Sequence, residues 1–180
     1  ISPASGGGTT GRPRTARLRH WQGHARRRPD DQSPRVPLGS LGRGWGSNLA
    51  GELQLTACNP RVIGAQGAGT EFQADGTEPD GSLRYRALDG YHGVMYQRTD
   101  GSYDVYAKDG TRYHFVGSQG YVHPFEGYRA IPLAFTEDTN GNRVTRQYAW
   151  MSGLPVVAEL RASGGHWLRL SYENRPTGTA

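Results

Sequence analysis

Glycine preceded by aspartate or asparagine recurs at Asp80-Gly81, Asp89-Gly90, Asp100-Gly101, Asp109-Gly110 and Asn140-Gly141. A chain reversed that often has room for short strands and little else. Asp-Gly and Asn-Gly favour type I′ turns, in which both central residues take positive φ. Between the turns the side chains alternate as strands require. Leu83, Tyr85 and Ala87 oppose Arg84 and Arg86; Tyr103, Val105 and Ala107 oppose Asp104, Tyr106 and Lys108; Tyr113 and Phe115 oppose Arg112 and His114. Further on, turn signals fall at Asn140-Gly141, Ser152-Gly153 and Gly164-Gly165, and His166, Leu168, Leu170 and Tyr172 alternate with Trp167, Arg169 and Ser171. The expected fold is all-β, a run of consecutive antiparallel hairpins over residues 38–180. Gly117–Pro132 is less regular: Pro124 and Pro132 make a poor central strand, so this stretch reads as a connection whose Tyr121, Phe125 and Tyr128 plug the sheet face.

The first 37 residues have a different texture. Residues 1–45 hold nine arginines against Asp30 and Asp31, whereas the rest of the chain has 12 basic and 14 acidic residues. The net charge of +5 therefore belongs to one end. Gly, Arg and Pro dominate there and no apolar period survives, so residues 1–37 are expected to be a disordered arm. No apolar run of about 18 residues, the length that reads as a membrane-spanning helix, occurs anywhere. The chain begins Ile1-Ser2-Pro3 without a signal-peptide pattern, and its true start is expected to lie upstream. The single cysteine, Cys58, precludes an internal disulfide framework and reads as a small apolar filler.

Four segments carry a resemblance. Leu38-Gly39-Ser40-Leu41-Gly42-Arg43-Gly44-Trp45 resembles the glycine-rich opening of Rhs/YD-repeat proteins, and Asp100-Gly101 through Asp109-Gly110-Thr111-Arg112-Tyr113-His114-Phe115 resembles the hairpin that follows it. Thr136 to Tyr148, with Asn140-Gly141-Asn142-Arg143-Val144-Thr145 inside it, is similar to a YD-repeat unit. Gly153 to Glu173, ending on Tyr172, follows the same plan. The resemblance covers residues 38–180. It departs from the family where Ala149 and Glu173 replace the aspartate after the repeat tyrosine, and where an Arg-rich stretch precedes Leu38. The family's C-terminal self-cleavage signature is not in this chain. Two accounts of residues 1–37 stay open, a basic linker or translation in the wrong frame.

The resemblance implies a large bacterial protein whose repeats spiral into a hollow shell around a variable C-terminal toxin. Such a protein is exported, often through type VI secretion; related shells occur in insecticidal toxin complexes and teneurins. This chain would be a non-catalytic wall segment without a cofactor, its partners being the rest of the shell and the enclosed toxin. The residues expected to build the wall are Leu41, Gly42, Gly44, Trp45, Asp109, Gly110, Asn140, Gly141, Arg143, Tyr148, Gly153 and Tyr172. Hairpins with one aromatic face cannot bury it alone, so residues 38–180 in isolation are expected to fold loosely.

Other chemistry has weaker support. His20 and His24 have helical metal-ligand spacing but no third ligand, and Arg26–Arg28 adjoin them. His92, His114, His123 and His166, with Glu126 or Asp104, contain the groups for acid–base work without a nucleophile motif. Ser152, Ser163 and Ser171 lack a Gly-x-Ser-x-Gly context. Gly39, Gly42, Gly44 and Gly46 match a phosphate loop only by count, and read better as a sharp reversal anchored by Trp45. Two alternative functions follow from other features. Tyr85, Tyr103, Tyr113 and Trp167 are candidates for cell-surface or carbohydrate adhesion through an aromatic sheet face. The basic arm has the charge to neutralise phosphates, but only Trp21 and Trp45 to stack bases, so nucleic acid is not an expected partner.

Overall fold

The computed structural model describes residues 49–64, 69–88, 90–124 and 126–172, and the backbone of Leu38–Gly39 and Gly42–Arg43. The N-terminal arm with His20 and His24, together with Leu41, Gly44, Trp45, Gly46, Asp89 and Phe125, lies outside these residues.

The chain is all-β and antiparallel. Its strands are β1 (Leu38–Gly39), β2 (Gly42–Arg43), β3 (Glu52–Leu55), β4 (Pro60–Ile63), β5 (Gly69–Thr77), β6 (Leu83–Ala87) and β7 (Val94–Gln97). They continue with β8 (Tyr103–Tyr106), β9 (Arg112–Phe115), β10 (Tyr121–Val122), β11 (Arg129–Glu137), β12 (Arg143–Met151), β13 (Leu154–Ala162) and β14 (Trp167–Arg169). The pairing of Gly39 with Gly42 makes β1–β2 a tight reversal apart from the main sheet.

The expectation of an open wall needs correction, because the main sheet closes on itself. From β3 to β9 each strand pairs with the next in sequence, and β11 then pairs with both β9 and β3. The result is a barrel of β3 to β9 and β11. Every strand of the ring sends side chains inward: Leu53, Val62, Phe72, Tyr85, Met95, Val105, Phe115 and Ile131 meet in one core. Burying each of the large aliphatic and Phe side chains is worth about 1.5–3 kcal/mol. Closure adds a second benefit, since a strand inside a ring has no unpaired edge.

β11 makes this geometry, and it corrects the reading of Pro132 as a strand breaker. Along one edge β11 pairs with β3 through Arg129–Pro132 and then with β12 through Phe135–Glu137. Along the other it pairs with β10 through Arg129–Ala130 and with β9 from Leu133 onward. The Leu133 amide donates to the Gly51 carbonyl at 2.9 Å. Alternation therefore turns the Pro132 nitrogen to the opposite edge, at the point where β10 has ended and β9 has not begun. A missing donor costs nothing there.

The turns also differ from expectation. At Asp80, Asp100, Asp109 and Asn140 only the following glycine has positive φ, so these are not type I′ turns. In the loop Arg98 to Ser102, the Arg98 amide donates to the Ser102 carbonyl and the Gly101 amide to the Arg98 carbonyl. The same pair of bonds closes Glu78–Ser82, Ala107–Thr111, Asp138–Asn142 and Ala162–His166. This is a three-residue loop, a type I turn ending in a glycine bulge. The aspartates are selected by a different force than left-handed φ: Asp80, Asp100 and Asp109 each accept the amide two residues on, at 2.8–2.9 Å. Among the described residues the type I′ pattern occurs at Ser152-Gly153, with φ of 50° and 78°.

Beyond the barrel, β12, β13 and β14 form a ribbon that leaves the ring at β11. Cys58 is exposed in the β3–β4 turn and is not a core filler. Among the described residues no helix is long and apolar enough to cross a membrane.

Candidate functional site

Three polar constellations and one cavity stand out. On the outer face of the barrel Asp104 is nearly inaccessible, with its side chain 3% exposed. Arg98 Nε reaches Oδ2 at 3.0 Å, while Arg112 Nε and His114 Nδ1 both reach Oδ1 at 2.8 Å. Burial alone would raise the Asp104 pKa; the bonds from Arg112, His114 and Arg98 outweigh it and hold the carboxyl below its usual range. The His114 ring stacks on Phe135 at 4.6 Å, and the Arg143 guanidinium lies 4.0 Å over that same phenyl ring. Asp104 and His114 are thus brought together, as an acid–base pair requires. Around that pair the Ser102 hydroxyl is engaged by Asp100 at 2.6 Å, and two arginines occupy the carboxylate. His92 and His166 are exposed in turns, and His123 is buried against Tyr128 with ring centroids 4.9 Å apart.

A second cluster fastens the connection before β11 to the barrel. The Tyr121 hydroxyl donates to Glu52 Oε2 at 2.8 Å and the Tyr128 hydroxyl to Oε1 at 3.2 Å, with Gln54 bridging both Oε1 and the Tyr128 oxygen. Burial first, and the Glu52 charge second, raise both phenols well above their usual value. Tyr121 lies on β10 and Tyr128 just before β11, and both bond Glu52, an acceptor not anticipated; Phe125, the third expected plug, lies outside the described residues. The third constellation lies on the ribbon, where buried Glu159 accepts from Arg169 at 3.0 Å and pairs with Arg161.

The cavity is a space of about 520 Å³ at the end of the barrel where β3, β5 and β9 begin. Phe72, Val105, Phe115 and Leu133 form its floor, and Thr136, Tyr113 and Arg146 contribute polar groups to its wall. Arg146 comes from β12, beyond the point where that strand pairs with β11. Its Nε donates to the Leu49 carbonyl at 2.8 Å, and its Nη1 to the Val144 carbonyl at 3.1 Å and to Thr136 Oγ1 at 3.3 Å. Among the described residues no carboxylate pairs with it. No group of three or more metal-ligating side chains gathers among the described residues either.

The expected wall residues occupy hairpins. Asp109-Gly110 turns β8 into β9, Asn140-Gly141 turns β11 into β12, and Gly153 completes the β12–β13 turn. Arg143 binds Glu137 at 2.7 Å. Tyr148 and Tyr172 are equivalent: each hydroxyl donates to a carbonyl fifteen residues earlier, of Leu133 and Val157 respectively, at 2.8 Å. The loops Asp138–Asn142 and Ala162–His166 share one bond pattern at the same offset. The two units are therefore one structural repeat of twenty-four residues, Tyr148 to Tyr172 and Leu133 to Val157.

The chain matches no protein-family model, no curated protein and no solved structure.

The tyrosines offered as an adhesive face are mostly spent on packing. Tyr103 is buried, and Tyr85 and Tyr113 pack against the barrel core; of the four rings named, Trp167 alone is well exposed, at 45%. The basic arm offered for nucleic acid lies outside the described residues. Arg146 escaped sequence reasoning because its position on a strand between polar neighbours looks solvated.

Proposed function

We propose that this chain is the opening segment of the wall of an Rhs-like shell, in which the barrel caps one end of the sheet and the β12–β14 ribbon begins the repeats. The reading is non-catalytic and needs no cofactor. Its partners are the later units of the same wall and a C-terminal toxin held inside, exported together by a bacterial secretion system.

One observation carries the reading. The Tyr148 and Tyr172 bonds repeat in identical form, and the outer edge of β14 pairs with no strand among the described residues. Repeat arrays need a distinct terminal unit, since an uncapped unit exposes the face its neighbour should cover. A ring of strands followed by like units answers that need.

The test is an immunoblot of the source cells with antibody raised against the barrel. A polypeptide far larger than 19.7 kDa is expected, with a C-terminal domain that resists protease until the barrel segment is deleted. Detection of a 19.7 kDa species alone, or protection indifferent to the deletion, would overturn the proposal.

A further inference from the structure

We infer that the open end of the barrel is a binding site for a small amphiphilic carboxylate, with an apolar body against the accessible Val62, Ile63 and Tyr91 and its anionic head on Arg146. This inference goes beyond the wall role and does not depend on it.

The cavity has the size and character of a small-molecule site. About 520 Å³ lies within the usual range of roughly 300–1,000 Å³, and an apolar floor with a few convergent polar groups is the common pattern. The charge supplies the specificity. Burial lowers the Arg146 pKa from its ordinary value, yet among the described residues Arg146 bonds neutral oxygens, those of Leu49, Val144 and Thr136, and no carboxylate. Its Nη2 donates to nothing among the described residues. A half-buried guanidinium without a counter-charge is costly, and an anion in the cavity would offset that cost.

A second donor stands beside it. Tyr113 lines the same wall, close enough that its phenol and the Arg146 guanidinium interact electrostatically. Its hydroxyl has no partner among the described residues. A carboxylate between Arg146 Nη2 and the Tyr113 hydroxyl would receive two hydrogen bonds, one of them charge-assisted. The apolar lining selects against small inorganic anions, which gain nothing from Val62, Ile63 or Tyr91.

The experiment titrates the full chain with dodecanoate and with dodecanol, an equally long neutral probe, by calorimetry. Dodecanoate is expected to bind at least tenfold more tightly, a margin set by one charge-assisted bond. Arg146→Gln should remove that margin while leaving dodecanol unchanged, and Arg146→Lys should restore part of it. Thr70→Tyr, which fills the cavity without touching the charge, should weaken both probes. In parallel, the ¹³C carboxyl resonance of labelled dodecanoate should titrate at lower pH when bound to the unmodified protein than when free. No binding of either probe, equal binding of both, or an unshifted carboxyl titration overturns the inference.

Discussion

The Tyr148 hydroxyl donates to the Leu133 carbonyl across 2.8 Å, tying the ribbon strand β12 to the barrel strand β11. Leu133 belongs to the barrel core, so this bond joins the first repeat unit directly to the ring. Tyr172 makes the equivalent bond to Val157 within the ribbon itself. Replacing either tyrosine with phenylalanine removes one donor and keeps the ring. Each change should cost about 1 kcal/mol, read from urea denaturation midpoints. Equal losses would mark the two as equivalent latches; no loss at either position would remove the tyrosine bond from the account of the repeat.

Asp104 makes the fold sensitive to acid. Its folded pKa lies below the ordinary 3.8 because three cationic or imidazole donors outweigh its burial. A depressed carboxyl contributes stability that is complete above the unfolded pKa and lost as pH falls through the folded one. Stability should therefore decline below about pH 4 more steeply in the unmodified chain than in Asp104→Asn. At neutral pH that variant should be less stable by about 2–3 kcal/mol, the scale of a lost hydrogen bond to a charged group. Denaturation midpoints between pH 7 and pH 2 check both statements.

Two glycines separate backbone strain from steric crowding. Gly101 has φ of +81° and open space where a methyl group would stand, so Gly101→Ala should cost about 1–2 kcal/mol from left-handed backbone alone. At Gly117 the same methyl group would fall against the Gly101 carbonyl oxygen. Backbone cannot swing aside as a side chain can, and Gly117→Ala should cost about 1–3 kcal/mol by overpacking. The double variant should be less than additive, because relaxing the Gly101 loop relieves the clash. Thermal melting of the single and double variants reads the difference.

Hydrogen exchange should divide the molecule at β11. Amides of β6, β7 and β8 are flanked by strands on both sides and cover fully buried Met95 and Val105. Among the described residues those of Trp167–Arg169 pair with a strand on one side only. Protection should be highest in the barrel and fall toward β14. Uniform protection throughout would contradict the division into ring and ribbon.

Much of the strand pattern after Gly81 is legible in the sequence because it is local. A glycine pair fixes a reversal, and alternation such as Tyr103-Asp104-Val105 fixes which side faces in. The twelve-residue spacing of Asn140-Gly141, Ser152-Gly153 and Gly164-Gly165 becomes three successive turns. Turn type is not legible, because the same dipeptide serves two loop geometries: the three-residue loop forms with an aspartate capturing the amide two residues on at Asp80, Asp100 and Asp109, and without one at Gly164-Gly165. Barrel closure is not legible at all. It depends on Leu53 meeting Ile131 and Phe115 meeting Leu133, and no local pattern announces pairings between distant segments. Pro132 misleads for the same reason, since its harmlessness comes from which neighbour each edge of β11 has at that residue. Asp104 sits at a position that alternation marks as solvated, and only the folded sheet shows three donors closing over it.

A ring offers nothing to extend from. With β3 to β9 and β11 closed on one another, new strands can join the described sheet from the β14 flank. In chain order the ring strands β3 to β9 and β11 precede β12, β13 and β14, so a nascent chain can complete the ring before the ribbon is laid on it. Sticky, half-formed sheet is then confined to a single advancing margin.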